Sequence, residues 1–504
     1  MLRLLSPPAT KTEFTHKRER SFPPRICRFS TRNALPAVVL ISVAFFTACI
    51  TWRDFSRTAR RSGEPADALF NYGNVLEVFP EQPPLPQATP ELPPHLDSLN
   101  YQHGPLRGPP TAHFRDNLRN DTQYLTSWLV AGFTNDYMTI GNMIYLAMIT
   151  SRIPVIPPFT SDIGGDRIPI LFSEIFDLPY LRQKLGIPIL EWSDIKEIAP
   201  AANTDAPPDE VGCWNLWQVQ SIGADGPRAS FSTDTLGIDI SYTRAPEWIK
   251  LIPGFQHDMH STFWSIARLA FQETRNEILA NPDAHPTLPT RSGQYLPPDE
   301  QMLCYDLLYY AVGAIPWEYE FDYSPMWRFV VTHFRFTKRL EDLAESYLRR
   351  SLDVPEGHDI PPYITIHARR GDFADWCGDI PREQCFPPLS AFAQRVFEVQ
   401  SELRAKRGLE VTKVIMTGNE KDPNWWNSVY ELGWLKVDHE KERTAELYGK
   451  WYPVILDAII QSRGLGFVGT DKSTFSSLAR RRVAEWNNGA VRTVKWGRPD
   501  SDQH

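Results

Sequence analysis

Short apolar runs alternate with helix-period segments on both sides of one breaker-rich stretch, and this pattern restricts the chain to α/β folds with parallel strands. The breaker-rich stretch is 353–362, which holds three prolines and a glycine and is typical of an interdomain linker. We therefore predict an N-terminal domain over 111–352 and a C-terminal domain over 363–497. Each is expected to contain parallel strands joined by crossover helices, and the two are expected to face a cleft.

The predicted elements follow from hydrophobic period and turn residues. In the first half we predict strands at 124–130, 152–159 and 187–192, a turn at 131–136, and helices at 138–149, 172–186, 260–279 and 325–352. In the second half we predict strands at 363–367, 411–416 and 466–469, and helices at 389–406, 445–461 and 473–486. Ligands of parallel sheets bind at the carboxyl ends of the strands, so the residues just after each strand are the candidates for function.

Residues 34–52 form a 19-residue stretch without a charged side chain, long enough to cross about 30 Å of hydrocarbon as a helix. Eight Lys or Arg residues lie within 1–33, against two acidic residues. The positive-inside rule then predicts a cytosolic tail at 1–33 and an uncleaved type II anchor, with the C-terminal bulk across the membrane. A cleaved signal peptide is the alternative. The Pro-rich segment 53–110 is predicted to be an extended stem, and 498–504 a tail.

Charge and cysteine content restrict the partners and the redox compartment. Beyond the tail and anchor lie 45 basic and 59 acidic residues, a formal charge of −14 that argues against nucleic acid as a partner. The even set Cys213, Cys304, Cys377 and Cys385 favours two disulfides over a metal site past the membrane. Cys377 and Cys385 enclose only seven residues and are the likelier pair, which leaves Cys213 with Cys304. The sequon at 120–122 predicts glycosylation of Asn120.

The segment 363–373, YITIHARRGDF, carries the densest chemistry of the chain. Its apolar run delivers His367, Arg369 and Arg370 into a turn at Gly371. Arginine stays charged and can grip phosphate oxygens with two hydrogen bonds, while glycine allows a sharp exit from a strand. The segment therefore predicts a diphosphate site. The alternative is a buried strand followed by a solvated turn.

A second candidate follows the last predicted strand. Ser473, Thr474 and Phe475 stand at a helix start, where backbone N–H groups and the helix dipole attract phosphate. The alternative for the two hydroxyl residues is a plain N-cap.

Asp457 is a third candidate because it lies within the apolar helical run 454–460. A carboxylate there needs a partner. Guanine presents an N1–H and an amino group side by side, which one carboxylate can accept together, whereas adenine presents one donor and one acceptor. Asp457 could therefore select GDP over ADP. A salt bridge to a nearby arginine is the alternative.

These segments resemble one known family, the GDP-fucose protein O-fucosyltransferases. The HARRGDF run at 367–373 is similar to the His-x-Arg-Arg motif of GDP-fucose-dependent fucosyltransferases, and FVGTDKSTFS at 467–476 resembles a segment with the pattern Phe-Ile-Gly-x-x-x-Ser-Thr-Phe-Ser. In the family an aspartate ten residues before this Phe recognises guanine, and Asp457 stands at that position. The turn Gly132-Phe133-Thr134-Asn135 resembles the family loop that touches the nucleotide sugar.

The resemblance implies a GT-B architecture of two Rossmann-like domains, behind a single transmembrane helix and stem in the Golgi or endoplasmic reticulum membrane. It implies inverting transfer of fucose from GDP-β-L-fucose to Ser or Thr hydroxyls, with Arg369 stabilising the leaving GDP. No metal cofactor is expected, because Arg369 and the helix start at Ser473 would carry the charge. The residues expected to bind GDP-fucose are Gly132, Phe133, Thr134, Asn135, His367, Ala368, Arg369, Arg370, Asp457, Ser473, Thr474 and Phe475.

The general base is not given by the resemblance. Some family members have a glutamate just before the loop, where this chain has Ala131. We predict Asn135 and Asp136 as catalytic residues beside Arg369, with a helix-capping role as the alternative for Asp136. Two other functions stay open: fucosylation of a glycan, since α1,6-type fucosyltransferases share the His-x-Arg-Arg element, and an inactive GDP-sugar-binding or glycan-binding protein.

Overall fold

The computed structural model describes residues 104–160, 168–198 and 207–503, which fall within one compact unit. The predicted tail, anchor and most of the stem lie outside the described residues and stay predictions. Among the described residues, no helix is long and apolar enough to cross a bilayer.

The strands and helices alternate along most of the described chain. The strands are β1 Tyr124–Ser127, β2 Ile153–Ile156, β3 Leu190–Glu191, β4 Asp209–Asn215, β5 Ile238–Arg244, β6 Ser261–Thr262, β7 Thr287–Leu288, β8 Met302–Tyr305, β9 Ala311–Val312, β10 Tyr363–Ala368, β11 Lys413–Gly418, β12 Leu435–Lys436, β13 Gly466–Thr470 and β14 Ala490–Val494. The α-helices are α1 Phe114–Asn117, α2 Phe133–Ile149, α3 Phe172–Ile175, α4 Leu178–Leu185, α5 Trp192–Ile195, α6 Trp217–Gln220, α7 Phe231–Thr235, α8 Phe263–Arg268, α9 Gln272–Leu279, α10 Pro325–Phe329, α11 Lys338–Leu352, α12 Arg382–Cys385, α13 Leu389–Arg407, α14 Pro423–Glu431, α15 Thr444–Tyr448, α16 Tyr452–Arg463 and α17 Thr474–Asn487. Short 3-10 helices cover Glu247–Ile249, Glu318–Glu320, Val331–His333, Asp372–Trp376 and Ser501–Gln503.

Two main sheets confirm the predicted α/β class. The first has the order β3-β2-β1-β8-β4-β5-β7 and is parallel apart from the β5–β7 pair. The second has the order β12-β11-β10-β13-β14 and is parallel throughout. In the second sheet the central strand β10 is followed by a crossover to its neighbour β11. Within each sheet the parallel strands end at one shared edge. A small third sheet pairs β6 with β9.

The central strand β10 shows why the second half could be predicted well. All six residues of β10 are buried, as expected for a parallel strand covered on both faces. It ends one residue after its predicted end. Helix α13 also ends one residue later than predicted, and α17 begins and ends one residue later than predicted. Helix α13 ends at Gly408, whose φ of 64° is the left-handed conformation that glycine adopts without strain.

Four segments that were predicted as single helices are each interrupted in the structure. The 172–186 segment is two helices, because Asp177 caps the start of α4 by accepting a hydrogen bond from the Tyr180 amide at 2.9 Å. The 445–461 segment also splits, because Gly449 has a φ of 110° and ends α15. The 260–279 and 325–352 segments are interrupted as well. The central strands β4, β5 and β8 of the first sheet were not predicted.

The two sheets share a hydrophobic core. One buried cluster contains Tyr137 and Phe334 from the first half together with Ile455 and Leu478 from the second. The two halves therefore meet through packed side chains of α2, α16 and α17. The predicted domain boundaries are not tested by this arrangement and stay predictions.

Candidate active site

The chain leaves β10 in a turn that neighbouring strand ends hold from two sides. From the β13 side, the Thr470 hydroxyl accepts from the Arg369 amide at 2.9 Å and donates to the His367 carbonyl at 2.9 Å. From the β11 side, Asn419 Oδ1 accepts from the amides of Arg370 and Gly371 at 2.9 and 3.0 Å. Strand ends of one sheet thus fix the backbone that carries the two predicted arginines.

The adjacent arginines point to different partners. The Arg370 guanidinium is mostly buried, donates to Glu420 Oε2 at 2.8 Å and lies over the rings of Phe386 and Trp425. The Arg369 guanidinium is 35% exposed, and its ion pair is with Asp372 at 2.8 Å. Arg370 is therefore held by protein partners, and Arg369 is the more exposed of the two arginines.

His367 does not contribute a positive charge to this turn. Burial, helped by the charge of Arg369, lowers the pKa of its imidazole to about 3. Its Nδ1 lies 2.8 Å from the Ser476 hydroxyl, and its ring lies 4.9 Å from that of Phe475. Arg369 and Arg370 are therefore the charged residues of the segment that the sequence singled out. When the Ser476 hydroxyl donates to Nδ1, the ring proton stays on Nε2, which makes the imidazole a neutral hydrogen-bond donor.

The start of α17 contains the predicted hydroxyl residues. Ser473 is buried and its Oγ accepts from the Ser476 amide at 3.4 Å, so the N-cap interpretation is confirmed for this residue. Thr474 is the first helical residue, and its hydroxyl lies 2.7 Å from the Thr134 hydroxyl and donates to Asn135 Oδ1 at 2.8 Å. The structure therefore brings together residues that stand 340 positions apart in the sequence.

Thr134 and Asn135 belong to the first turn of α2, so the N-terminal ends of two long helices meet at Thr474. Each helix start carries amide groups without intrahelical acceptors and the positive end of a dipole. Glu320 binds α17 one turn further on, where it accepts from the Ser477 hydroxyl at 3.0 Å and pairs with Arg480. Two helix N-termini, together with Arg369 on the neighbouring strand, provide an electropositive setting suited to an anionic ligand.

Two predicted residues of the α2 turn face inward. Phe133 is buried, with its ring centroid 5.6 Å from Phe159 and 6.3 Å from Trp451, so it is a core residue. Asp136 is fully buried, and its Oδ1 accepts from the amides of Val130 and Ala131 at 3.1 and 2.9 Å. The capping alternative for Asp136 is wrong, because the N-cap of α2 is Gly132 and the Asp136 carboxylate holds two residues that precede it.

Burial raises the pKa of the Asp136 carboxyl to about 8, against the opposing effect of the two amide donors. Its second oxygen, Oδ2, is buried without a hydrogen-bond partner. The carboxyl is therefore mostly protonated at neutral pH. Gly132, which precedes the helix, is exposed and adopts an extended conformation.

Asp457 has a partner that the sequence did not suggest. Its Oδ1 lies 3.0 Å from His439 Nε2, and the other ring nitrogen of His439 lies 3.1 Å from the Thr444 hydroxyl. The alternative prediction, a salt bridge from Asp457 to an arginine, is therefore wrong, because the partner is His439. The Asp457 side chain is 22% exposed, so its carboxylate remains reachable.

Sequence reasoning missed the residues that follow β11. Asn419 and Glu420 bind the Arg369-Arg370 turn, yet the predicted strand ended at Met416, two residues before the observed end at Gly418. The rule that function follows strand ends would have found them with the correct strand end.

The remaining predicted sites are the two disulfides, the sequon and the absence of a metal site. Both predicted disulfides are present, with Cα–Cα distances of 4.8 Å for Cys213–Cys304 and 5.8 Å for Cys377–Cys385. Asn120 is exposed and its Oδ1 accepts from Arg107 at 2.7 Å, so its modification stays a prediction. Within the described ranges, no group of three or more His, Cys, Asp or Glu side chains is arranged to hold a metal ion.

Comparisons with known proteins give one family. The profile described as GDP-fucose protein O-fucosyltransferase matches residues 124–485, which is most of the chain. No curated protein matches the sequence.

Among solved structures, this chain is similar to POFUT1 in complex with GDP-fucose at 13% identity and a TM-score of 0.45, over 75% of this chain and 99% of that chain. It is also similar to the fucosyltransferase NodZ from Bradyrhizobium at 14% identity and a TM-score of 0.36, over 73% of this chain and 97% of that chain.

Proposed function

The chain belongs to the GDP-fucose protein O-fucosyltransferase family, and on this premise we propose that it transfers fucose from GDP-fucose, with inversion, to Ser or Thr hydroxyls of secretory-pathway proteins. The observation that carries the proposal is the meeting of the α2 and α17 N-termini at Thr474, next to the turn after β10 that bears Arg369. This is the arrangement that a diphosphate leaving group requires.

In the proposed reaction, the acceptor hydroxyl attacks the anomeric carbon as the bond to the diphosphate breaks. Negative charge then builds on the oxygens of the departing GDP. A fixed guanidinium and helix N-termini stabilise this charge more in the transition state than in the ground state, which lowers the barrier. Arg369 is proposed as the group that takes most of this charge, with the neutral His367 as a further donor.

The base that removes the acceptor proton has two candidates in the proposal. Asp136 is one, in its ionised form: the carboxyl is mostly protonated at neutral pH, but with a pKa of about 8 its carboxylate is a stronger base than an ordinary one as pH rises. Its buried position argues instead for a supporting role, in which it holds the loop before Asn135. The second candidate is proton transfer to the departing phosphate, with Asn135 orienting the acceptor.

The proposal includes a GT-B arrangement of the two halves, a type II anchor at 34–52 and a Golgi or endoplasmic reticulum location. It also includes Asp457 as the residue that accepts from the guanine edge, since a carboxylate 22% exposed can still receive two donors. No metal ion has a role in the proposed reaction.

The test is an assay of the purified full chain with GDP-fucose labelled in the sugar. Folded Ser- and Thr-bearing secretory domains, short peptides and free glycans are offered as acceptors, and GDP-mannose serves as the control donor. We expect label transfer to a protein acceptor and no use of GDP-mannose. Transfer only to glycans would show that the acceptor is a glycan and not a protein hydroxyl. Binding of GDP-fucose without release of GDP in any mixture would contradict an enzymatic function.

A further inference from the structure

We propose that Asn419, from the end of β11, is a positioning residue that aims the Arg369 guanidinium. The inference rests on the proposed function, in which Arg369 meets the diphosphate. Asn419 does not touch that site in this arrangement. It acts through three consecutive residues of the turn that follows β10.

One carboxamide makes three hydrogen bonds to this turn. Asn419 Oδ1 accepts from the amides of Arg370 and Gly371 at 2.9 and 3.0 Å. Its Nδ2 donates to Asp372 Oδ1 at 2.8 Å. The same side chain therefore holds the backbone of the turn and one oxygen of the Asp372 carboxylate.

The other oxygen of that carboxylate holds the arginine. Asp372 Oδ2 accepts from Arg369 Nη2 at 2.8 Å. The Asp372 and Arg369 side chains are 53% and 35% exposed, and an ion pair this exposed fixes neither side chain by itself. The bond from Asn419 removes the rotational freedom of the carboxylate, so that Oδ2 keeps facing Arg369.

The close fit of the two strand ends shows that this contact is built into the fold. A Cβ at Gly371 would lie 2.8 Å from Asn419 Nδ2 and 3.0 Å from the Asn419 carbonyl oxygen. A Cβ at Gly418 would lie 2.5 Å from the Ala368 carbonyl oxygen. Glycine at both positions lets the ends of β10 and β11 approach closely enough for the amide to reach the turn.

Asparagine is the residue type that this position needs. Its carbonyl oxygen accepts from two amides while its amino group donates to a carboxylate. Aspartate has the same shape and could still accept from both amides, but it would put a second negative charge against Asp372. Asn419→Asp is therefore a change in one atom type that removes the donor and keeps the size.

The experiment compares Asn419→Asp, Asp372→Asn and the double variant in the full chain. In the double variant the two groups are exchanged, so an amino group at 372 can donate to the carboxylate at 419 while its carbonyl accepts from Arg369. Asn424→Asp is the control, because Asn424 is exposed on the same segment and undergoes the same chemical change. Turnover of GDP-fucose, GDP affinity by calorimetry and thermal unfolding are measured for each.

We expect Asn419→Asp to lower kcat by about 10- to 100-fold, the effect of a misplaced catalytic group. The change in KM should be smaller, and the melting temperature should stay close to that of the Asn424→Asp control. The double variant should recover at least about tenfold over Asn419→Asp, because exchange restores the hydrogen bonds. A purely structural role would lower the melting temperature and give no recovery of kcat.

Turnover of Asn419→Asp within about twofold of the wild type, or a double variant as slow as the product of the single effects, would overturn the inference. Crystal structures of the variants test the positioning of Arg369 by Asn419 independently of activity. The Arg369 guanidinium should leave Asp372 in Asn419→Asp and return in the double variant. Wild-type chain that neither binds GDP nor uses GDP-fucose would refute the proposed function, while the crystal structures would still decide the positioning.

Discussion

The turn after β1 and the turn after β13 share one plan, a parallel strand followed by a long helix, but they use it differently. In the β13 turn, the hydroxyls of Thr470, Ser473 and Ser476 hold the backbone and bind His367. In the β1 turn, the buried Asp136 holds the backbone and the buried Phe133 packs in the core. In the proposed function, the second half supplies the cation and most of the hydroxyls, while the first half supplies the helix start at Thr134 and Asn135 and the buried residues that hold it.

Replacing Arg369 should give the largest effect on activity. Arg369→Ala removes the proposed leaving-group cation, so we expect kcat/KM for GDP-fucose to fall by about 100- to 1,000-fold. The melting temperature should barely change, because the side chain is partly exposed and paired only on the surface. Arg404→Ala is the matched control, since Arg404 is 64% exposed on a helix of the same half. Equal activities of Arg369→Ala and Arg404→Ala would show that the turn after β10 does not supply the proposed cation.

Replacing Arg370, one residue away, should instead affect stability. Arg370→Met leaves the buried Glu420 with Arg382 as its remaining arginine partner, so we expect a loss of about 2–3 kcal/mol in the free energy of unfolding. Chemical denaturation measures the change. The folded fraction should keep most of its turnover. A stable but inactive variant would show that Arg370 meets the ligand directly.

Thr474 lies where the two turns meet and should give an intermediate effect. Thr474→Val keeps the shape of the side chain but removes the bonds to Thr134 and Asn135. We expect kcat/KM to fall by about 5- to 30-fold, which corresponds to the loss of about 1–2 kcal/mol. Thr474→Ser keeps a hydroxyl and should recover most of the activity. Full activity of Thr474→Val would show that the hydroxyl bonds of the junction do not contribute to turnover.

Replacing Asp136 should have the smallest effect on turnover near neutral pH, and its effect on stability should depend on pH. Between about pH 4 and 8 the folded chain keeps a proton on Asp136 that the unfolded chain has released, because burial raises the pKa of this carboxyl to about 8. The free energy of unfolding therefore falls as pH rises through this window, by at most about 1.4 kcal/mol per pH unit, and levels off above pH 8.

Asp136→Asn cannot release this proton, so the stability difference between variant and wild type should shift in favour of the variant as pH rises. Thermal unfolding from pH 5 to 9 measures it. The same variant separates the two roles of Asp136. Loss of turnover at every pH, without a change in the free energy of unfolding, would identify Asp136 as the general base. Asp136 would then act in the reaction and not only hold the turn before α2.

The sequence was sufficient for the elements whose signals are local. Strand β10 and the start of α17 could be placed to within one residue because apolar runs end there at glycine or at a hydroxyl cap. The central strands β4, β5 and β8 were missed, because strand pairing joins distant segments and leaves a weak local pattern. Helix 445–461 was misjudged because its apolar period continues across Gly449.

The candidate site shows the same difference between local features, which the sequence predicts, and features that depend on distant segments. Arg369 and Thr474 were predicted from motif and position, since a cation and a helix start are visible in the sequence. The inward orientation of Phe133, the neutral state of His367 and the contact of Asp457 with His439 depend on burial and on neighbours from other segments. Such features appear only when the halves pack together.

Calorimetric titration of GDP and ADP into the full chain and its Arg369→Ala variant tests the central claim most directly. The account predicts one GDP bound per wild-type chain, ADP binding weaker by at least about tenfold, and a loss of at least about tenfold in GDP affinity for the variant. GDP binding of equal strength in the wild type and the variant, or no GDP binding by the wild type, would contradict it.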